Sequence, residues 1–187
     1  MTNKKIKLAK DFTIEDYEKL EEDQNKERIA NFVFQRLSER YLDPLENSTK
    51  KNGFSIMANS CLLIETYESF RQGWKDTKGP DFRPFDLFFE REPGFKDFKY
   101  GYSNKFYHNV RCGILHQGET TGGWKITRLK EAPIFNKVEK TINATKFFEE
   151  LRKSLKAYRD LLISADWESE VWVNCRKKIS FIIENCK

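Results

Sequence analysis

Apolar side chains recur every three to four residues along most of the chain, a spacing that places them on one face of an α-helix. The pattern starts after Thr13, which fits a capping box with Asp16. It continues to Tyr41, just before Asp43 and Pro44, a pair that ends helices. The spacing therefore predicts a first helix over residues 13–41, after a flexible, Lys-rich N-terminus over residues 1–12.

A second long helix is predicted over residues 54–74, after a polar loop at 47–53. Its middle, residues 61–64, is apolar on every side, so we expect it to lie at the centre of the protein. Glu65 follows directly, and two interpretations stay open for it. It is either a buried acid paired with a cation near the motif described below, or a solvated side chain on the one exposed face.

Shorter elements are predicted in the middle of the chain. Pro84 fits the first turn of a helix over residues 85–90, between a loop at 75–83 and the Pro93-Gly94 break. Residues 95–101 are predicted to be irregular. Ser103 is the predicted N-cap of a helix that ends at Gly118.

The second half of the chain predicts a small hairpin and then two helices. Alternation over residues 124–128 indicates a strand, with 134–138 as its partner. Thr145 is the predicted cap of the next helix. The two helices carry apolar faces formed by Phe147, Phe148, Leu151, Leu155, Tyr158, Leu161 and Leu162, and by Trp167, Val171, Cys175, Ile179, Ile182 and Ile183. The predicted fold is an all-α, single-domain bundle over residues 1–187, with about five helices and a β-hairpin excursion.

Composition narrows the function classes only slightly. The chain has 34 Lys and Arg against 29 Asp and Glu, a net charge of +5 that permits an anionic partner without requiring one. None of its four cysteines has C-x-x-C spacing, which excludes a zinc knuckle and a thioredoxin-type motif. No apolar run is long enough to cross a membrane, so we expect a cytoplasmic protein without a membrane partner.

Candidate chemistry is concentrated in residues 106–124, FYHNVRCGILHQGETTGGW, which hold both histidines. Arg111 and His116 form R-x4-H at a helix end, about 140° apart around the axis, so they do not stack but can border one cleft. A histidine exchanges protons near neutral pH, and an arginine suits a phosphate. The pair favours acid–base chemistry on a phosphodiester, and no metal or cofactor is expected.

The all-helical pattern with the motif Arg111-Cys112-Gly113-Ile114-Leu115-His116 resembles the HEPN superfamily (higher eukaryotes and prokaryotes nucleotide-binding). The resemblance is sharp over residues 106–124 and extends as a helix pattern over 54–118 and 145–186. It implies a metal-independent endoribonuclease, often a toxin or phage-defence effector, that works as a homodimer with two motifs together. An antitoxin or another protein partner is also in keeping with the family.

Arg111 and His116 are the predicted catalytic residues, and Gly113 is expected to let the two motif helices, or their neighbours, approach closely. The predicted RNA-binding residues lie around them: His108, Cys112, Gln117, Glu119, Lys125 and Arg128. Cys112 departs from the family, because many active members have a polar residue after the arginine. Two alternatives therefore stay open: a HEPN-type RNA-binding or regulatory domain without catalysis, and a helical scaffold in which Arg111 and His116 are structural.

Overall fold

A computed structural model of the chain describes residues 3–46, 50–77 and 81–186. The predicted loops at 47–53 and 75–83 therefore lie partly outside the described residues. The described chain is mainly helical and carries two small sheets. In order, its first half contains β1 (Lys7–Ala9), β2 (Phe12–Thr13), α1 (Ile14–Glu22), α2 (Lys26–Tyr41), a 3₁₀ turn (Asp43–Leu45), α3 (Gly53–Gln72), α4 (Arg83–Arg91) and a 3₁₀ helix (Pro93–Phe98).

The second half starts with one continuous helix over residues 102–117. Its three segments are α5 (Tyr102–Phe106), a π-helical segment (Tyr107–Cys112) and α6 (Gly113–Gln117). The remaining elements are β3 (Lys125–Thr127), β4 (Phe135–Asn136), β5 (Thr141–Asn143), α7 (Ala144–Ser164) and α8 (Glu170–Glu184). The prediction of a mainly α fold is confirmed, but the described chain has more helices than the five expected. No helix among the described residues combines the length and apolar character needed to cross a bilayer.

The N-terminal region differs from its prediction in two ways. Residues 7–9 are not a flexible tail but a strand that pairs with β2, and Leu8 is buried in the core. The capping box of Thr13 and Asp16 is confirmed, but the single predicted helix is two. The chain turns at Gln24, which has a φ of +49°, and the Asn25 side chain then accepts a hydrogen bond from the Arg28 N–H to start α2.

Helix α3 lies at the centre of the protein, as predicted, and packs against α2, α4, α7 and α8. Leu63, Ile64, Tyr67 and Phe70 are all buried on it. Leu62 is the exception, since 37% of its surface is exposed. The middle of α3 is therefore apolar on every side but buried on only part of its circumference.

A cluster of phenylalanine rings fills the core between α4, α5 and α7. Residues 95–101, predicted to be irregular, are partly a 3₁₀ helix that delivers Phe95 and Phe98 to this cluster. Phe98 stacks on Phe89 and on Phe135, with ring centroids at 4.8 and 4.6 Å. It also meets the ring edges of Phe106 and Phe147. The short sheet is thus joined to the helices through aromatic packing.

The strand predicted at 124–128 is present, but it is not half of a hairpin. Strand β5 lies between the other two, parallel to β3 and antiparallel to β4, in the order β3-β5-β4. Residues 141–143 alternate only briefly, so their role as a central strand is not visible in the sequence. Thr141 and Ile142 each pair with both neighbouring strands, and Ile142 is fully buried.

Two predicted caps each lie two residues after the actual cap. The helix at 102–117 starts after Gly101, and Ser103 lies inside its first turn with its hydroxyl donating to Asp86 at 2.6 Å. Helix α7 is capped by Asn143, whose side chain accepts from the Lys146 N–H, and not by Thr145. On α8 the fully buried tryptophan is Trp172, whereas Trp167 is only partly buried against the core.

Candidate functional site

The R-x4-H motif lies on the helix over residues 102–117, which we call the motif helix. Its middle is π-helical over Tyr107–Cys112, a wide turn that is often found at functional sites. Gly118 ends the helix with a φ of +74°, the left-handed conformation predicted for it. The motif therefore spans the junction between the π segment and the last α-helical turn.

Arg111 is fixed in place by an acid on the central helix. Its Nε donates to Glu65 Oε1 at 2.8 Å, and its Nη2 lies 3.4 Å from Glu65 Oε2. Burial alone would lower the pKa of Arg111, but the hydrogen bond and charge of Glu65 outweigh it and raise that pKa. Of the two interpretations of Glu65, the acid paired with a cation at the motif is the one that the structure confirms.

His116 is exposed and lies at the other end of the same guanidinium group. Its Nε2 is 3.4 Å from Arg111 Nη1, so the two tips meet although their backbones are five residues apart. The Arg111 side chain is long enough to reach His116 despite the angle between the two residues around the helix axis, which we expected to keep them from stacking. Because a guanidinium only donates, this contact takes the neutral histidine tautomer, with its lone pair on Nε2 and its proton on Nδ1.

Glu65, Arg111 and His116 thus form a chain of carboxylate, guanidinium and imidazole that opens to solvent at the histidine. The carboxylate orients the guanidinium, and the guanidinium stands next to a ring nitrogen able to take up a proton. A phosphate placed beside His116 would find a bidentate cation and a base within reach of each other. The arrangement suits proton transfer next to an anion.

A loop folds back on the motif helix and makes Gly113 necessary. A Cβ on Gly113 would lie 2.5 Å from the carbonyl oxygen of Glu119 and 3.3 Å from the Cα of Thr120. The loop is also held by the Thr121 N–H, which donates to the Asn109 carbonyl at 2.9 Å. The close backbone approach predicted for Gly113 is confirmed, but the neighbour is this chain's own loop. A second copy of the motif helix cannot pack on Gly113 while that loop is in place.

Replacing Gly113 with alanine is expected to lower the free energy of unfolding by roughly 1–2 kcal/mol. The new methyl group meets backbone, which cannot swing aside, and this cost exceeds the gain of about 1 kcal/mol in helix propensity. Urea unfolding followed by circular dichroism measures the change. Gly53→Ala is the matched control, because its Cβ would meet only side-chain atoms, the nearest of them on Ile126 at 3.1 Å. Equal stability of Gly113→Ala and wild type would contradict the close approach.

Four of the six predicted RNA-binding residues lie on the motif helix or just after it. His108 and Gln117 are exposed on the helix, Glu119 is exposed directly after it, and Cys112 is half-buried. Burial raises the pKa of Tyr107, and its interaction with the Cys112 thiol adds to that rise. The thiol therefore has a neighbour within the motif helix itself.

Lys125 and Arg128 lie further along the chain. Lys125 is exposed on β3. Arg128 lies beside Gly53 at the start of α3, and its Nη1 donates to Asn52 Oδ1. Glu65, which holds Arg111, is twelve residues further along α3, or about 18 Å along the helix axis. Arg128 is thus not part of the rim of the motif, contrary to the prediction.

Two features around the site were not foreseen from the sequence. Leu62 and Leu115 are each 37% exposed, and they lie three residues before Glu65 and one before His116. Their exposure follows from tertiary packing and has no local sequence signal. Within residues 3–46, 50–77 and 81–186, no three His, Cys, Asp or Glu side chains are grouped as metal ligands would be.

Comparison with protein-family models, with curated proteins and with solved structures finds no match to this chain. The relation to the HEPN superfamily therefore remains a prediction, carried by the Arg111–His116 motif and its position at the end of a core helix.

Proposed function

We propose that the protein is a metal-independent endoribonuclease of HEPN type, with His116 as proton carrier and Arg111 as the cation at the phosphate. The observation that carries this proposal is the 3.4 Å contact between Arg111 Nη1 and the exposed His116 Nε2, with Glu65 fixing the guanidinium from behind. A purely structural arginine would need only the carboxylate. Here one edge of the Arg111 guanidinium instead contacts His116, a titratable side chain that is exposed to solvent.

The proposed reaction is an attack of the ribose 2′-oxygen on the adjacent phosphorus. Arg111 Nη1 turns from His116 to the phosphate, which frees His116 Nε2 to accept the 2′-hydroxyl proton. A P–O2′ bond forms, and the P–O5′ bond breaks to leave a 2′,3′-cyclic phosphate. Arg111 stabilises the negative charge that develops on the phosphoryl oxygens. The leaving 5′-oxygen needs a proton, which an imidazolium supplies. One motif carries one histidine, so a second motif is the natural source of that proton.

We therefore propose a homodimer in which two motifs share one cleft. Leu62 and Leu115 support it, because both are exposed apolar side chains, three residues before Glu65 and one before His116. A two-fold interface is self-complementary, so this one surface is enough to build it. Gly113 has no role in this contact, because its close neighbour is the loop of its own chain.

A second function has one specific observation in its favour. Cys112, directly after Arg111, is half-buried, and its thiol offers substrate a weaker polar contact than the residues in many active family members. This favours a domain that binds RNA or a protein partner without cleaving it. A single measurement, cleavage of the RNA strand, distinguishes the two functions.

Replacing His116 with alanine is expected to slow RNA cleavage at least about a hundredfold, since general acid–base catalysis contributes on that order or more. Cleavage of labelled RNA is measured in EDTA with wild type, His116→Ala and Arg111→Ala. Arg159→Ala is the control for loss of a carboxylate-paired arginine, because Arg159 pairs with Asp160 on α7, away from the motif helix. It should cleave like wild type.

Three results would decide against parts of the proposal. Cleavage that survives in His116→Ala excludes the histidine as proton carrier. Absence of cleavage by wild type, with RNA binding retained, establishes the binding function instead. A monomer in light scattering at the concentration of the assay, together with full cleavage, excludes the shared cleft.

A further inference from the structure

Two adjoining cavities lie on another part of the surface, between α7, the start of α3 and the loop after β3. The first has a volume of about 500 Å³ and the second about 520 Å³. Arg128, Thr145 and Glu149 line both, so the two cavities form one extended depression. We call it the basic groove. Each half is within the size range of small-ligand sites, and together they are larger than one nucleotide needs.

The floor of the first cavity is apolar and includes an aromatic ring. Leu45, Ile56 and Phe148 line it, and the guanidinium of Arg152 lies 5.7 Å from the centre of the Phe148 ring. Ring faces and guanidinium planes are the surfaces on which unpaired bases stack. The groove therefore offers a stacking platform as well as charge.

Four cations along the two cavities have no acidic partner among the described residues. Among the described residues, no carboxylate lies within 4.0 Å of the charged nitrogens of Arg128, Lys130, Lys146 or Lys156. Arg128 is instead held by neutral groups, donating to Thr145 Oγ1 at 3.0 Å and to the Lys50 carbonyl at 2.8 Å. Its charge is thus fixed in position and still available to an anion, while Glu131 and Glu149 keep the groove from being uniformly positive.

From this juxtaposition we infer that the basic groove binds single-stranded RNA, with phosphates on Arg128, Lys130, Lys146 and Lys156 and a base stacked on Phe148. Its extended form and the spread of cations along both cavities fit a repeating polyanion better than a compact one. The inference rests on the proposed function for the identity of the polymer as RNA.

The position of the groove makes it a second contact for the same strand. It lies at the start of α3, about 18 Å along the helix from Glu65 and the motif. On the order of five stacked nucleotides span this length at 3.4 Å each. RNA anchored in the groove would deliver a site several nucleotides away to His116, so the groove sets affinity and the choice of cleavage position.

Binding is tested with wild-type protein and a fluorescein-labelled, 2′-O-methyl oligouridylate, which lacks the attacking hydroxyl and stays intact. The triple variant Lys130→Gln, Lys146→Gln and Lys156→Gln should raise the Kd in fluorescence anisotropy by about tenfold or more. The slope of log Kd against log salt should fall by about 2, for three lost phosphate contacts. All three substitutions keep a polar side chain without the charge and replace no hydrogen-bonded core group.

A matched control removes the same three charges elsewhere, at the exposed Lys5, Lys19 and Lys177. A loss of affinity equal to that of the groove variant would overturn the inference, because it would show that only net charge matters. Full competition by adenosine monophosphate at equal affinity would identify a small-ligand site instead. Equal competition by oligoglutamate would identify an acidic peptide as the partner, and each of these results rejects the RNA groove.

Failure of the groove and failure of the nuclease are distinguishable in the same preparations. If the groove variant binds and cleaves like wild type while His116→Ala does not cleave, the groove inference is wrong and the nuclease stands. If the wild type binds the oligouridylate but cleaves no RNA, and the groove variant no longer binds it, the groove inference stands and the nuclease proposal is wrong.

Discussion

Replacing Arg91 with alanine is expected to lower the free energy of unfolding by roughly 3–5 kcal/mol at neutral pH. Arg91 donates through Nη2 to Glu68, a carboxylate on α3 with no exposed surface. Its Nε lies 3.4 Å from Glu92, which also accepts a hydrogen bond from the Tyr67 hydroxyl at 3.0 Å. Alanine would leave Glu68 buried without its ion-pair partner, and that desolvation cost outweighs the contacts that are lost.

The size of this loss should depend on pH in a defined direction. Burial raises the pKa of Glu68 above its ordinary value of 4.5, and Arg91 opposes that rise. Without Arg91 the pKa of Glu68 in the folded state rises further. Glu68 then keeps a proton in the folded protein that it releases in the unfolded chain. The penalty is therefore small near pH 4.5 and grows as the pH rises through the folded-state pKa. Arg91→Ala should be closer to wild type at pH 5 than at pH 8.

Urea unfolding at these two pH values tests the prediction. Arg83→Ala is the control on the same helix, since Arg83 is an exposed, ion-paired arginine whose loss should cost under about 1 kcal/mol. The double variant Glu68→Gln and Arg91→Ala should lose the added pH dependence. A loss below about 1 kcal/mol in Arg91→Ala, equal at both pH values, would show that the buried acid does not depend on Arg91.

Replacing Phe98 with alanine is expected to cost roughly 3–5 kcal/mol, as for other buried phenylalanines. Phe98 is fully buried, and its ring contacts rings from α4, α5, α7 and β4. These elements come from four parts of the chain and cannot collapse into the cavity together. Thermal or urea unfolding measures the loss. Phe54→Ala, at a ring that is 39% exposed on α3, should change stability by less than about 1 kcal/mol.

What the sequence predicted well is local. The position of α3, the capping box of Thr13 and the left-handed Gly118 follow from spacing and from side chains within a few residues. What it predicted poorly depends on distant partners. Strand β5 lies between β3 and β4 because of pairing that alternation does not encode, and the Glu68–Arg91 pair joins residues 23 apart.

The candidate site shows the same division. Arg111, His116 and the possible pairing of Glu65 were visible as residue types in one pattern. That Glu65 and Arg111 meet across 46 residues is a tertiary contact. Arg128 was predicted beside the motif because it is close in sequence, but the turn after β3 carries it to the start of α3. Chain proximity is a poor guide once a chain leaves a regular helix.

The central position of α3 has a consequence during synthesis on the ribosome. Its last turn is completed by α8, where the Asn174 amide donates to the Arg71 carbonyl at 2.9 Å and Lys178 donates to the Lys75 carbonyl at 2.9 Å. Each contact joins residues 103 apart. At roughly 5–20 residues per second, that length takes on the order of 5–20 s to translate. During this interval the apolar surface of α3 is without its final cover, which is the period when a nascent chain depends most on chaperones.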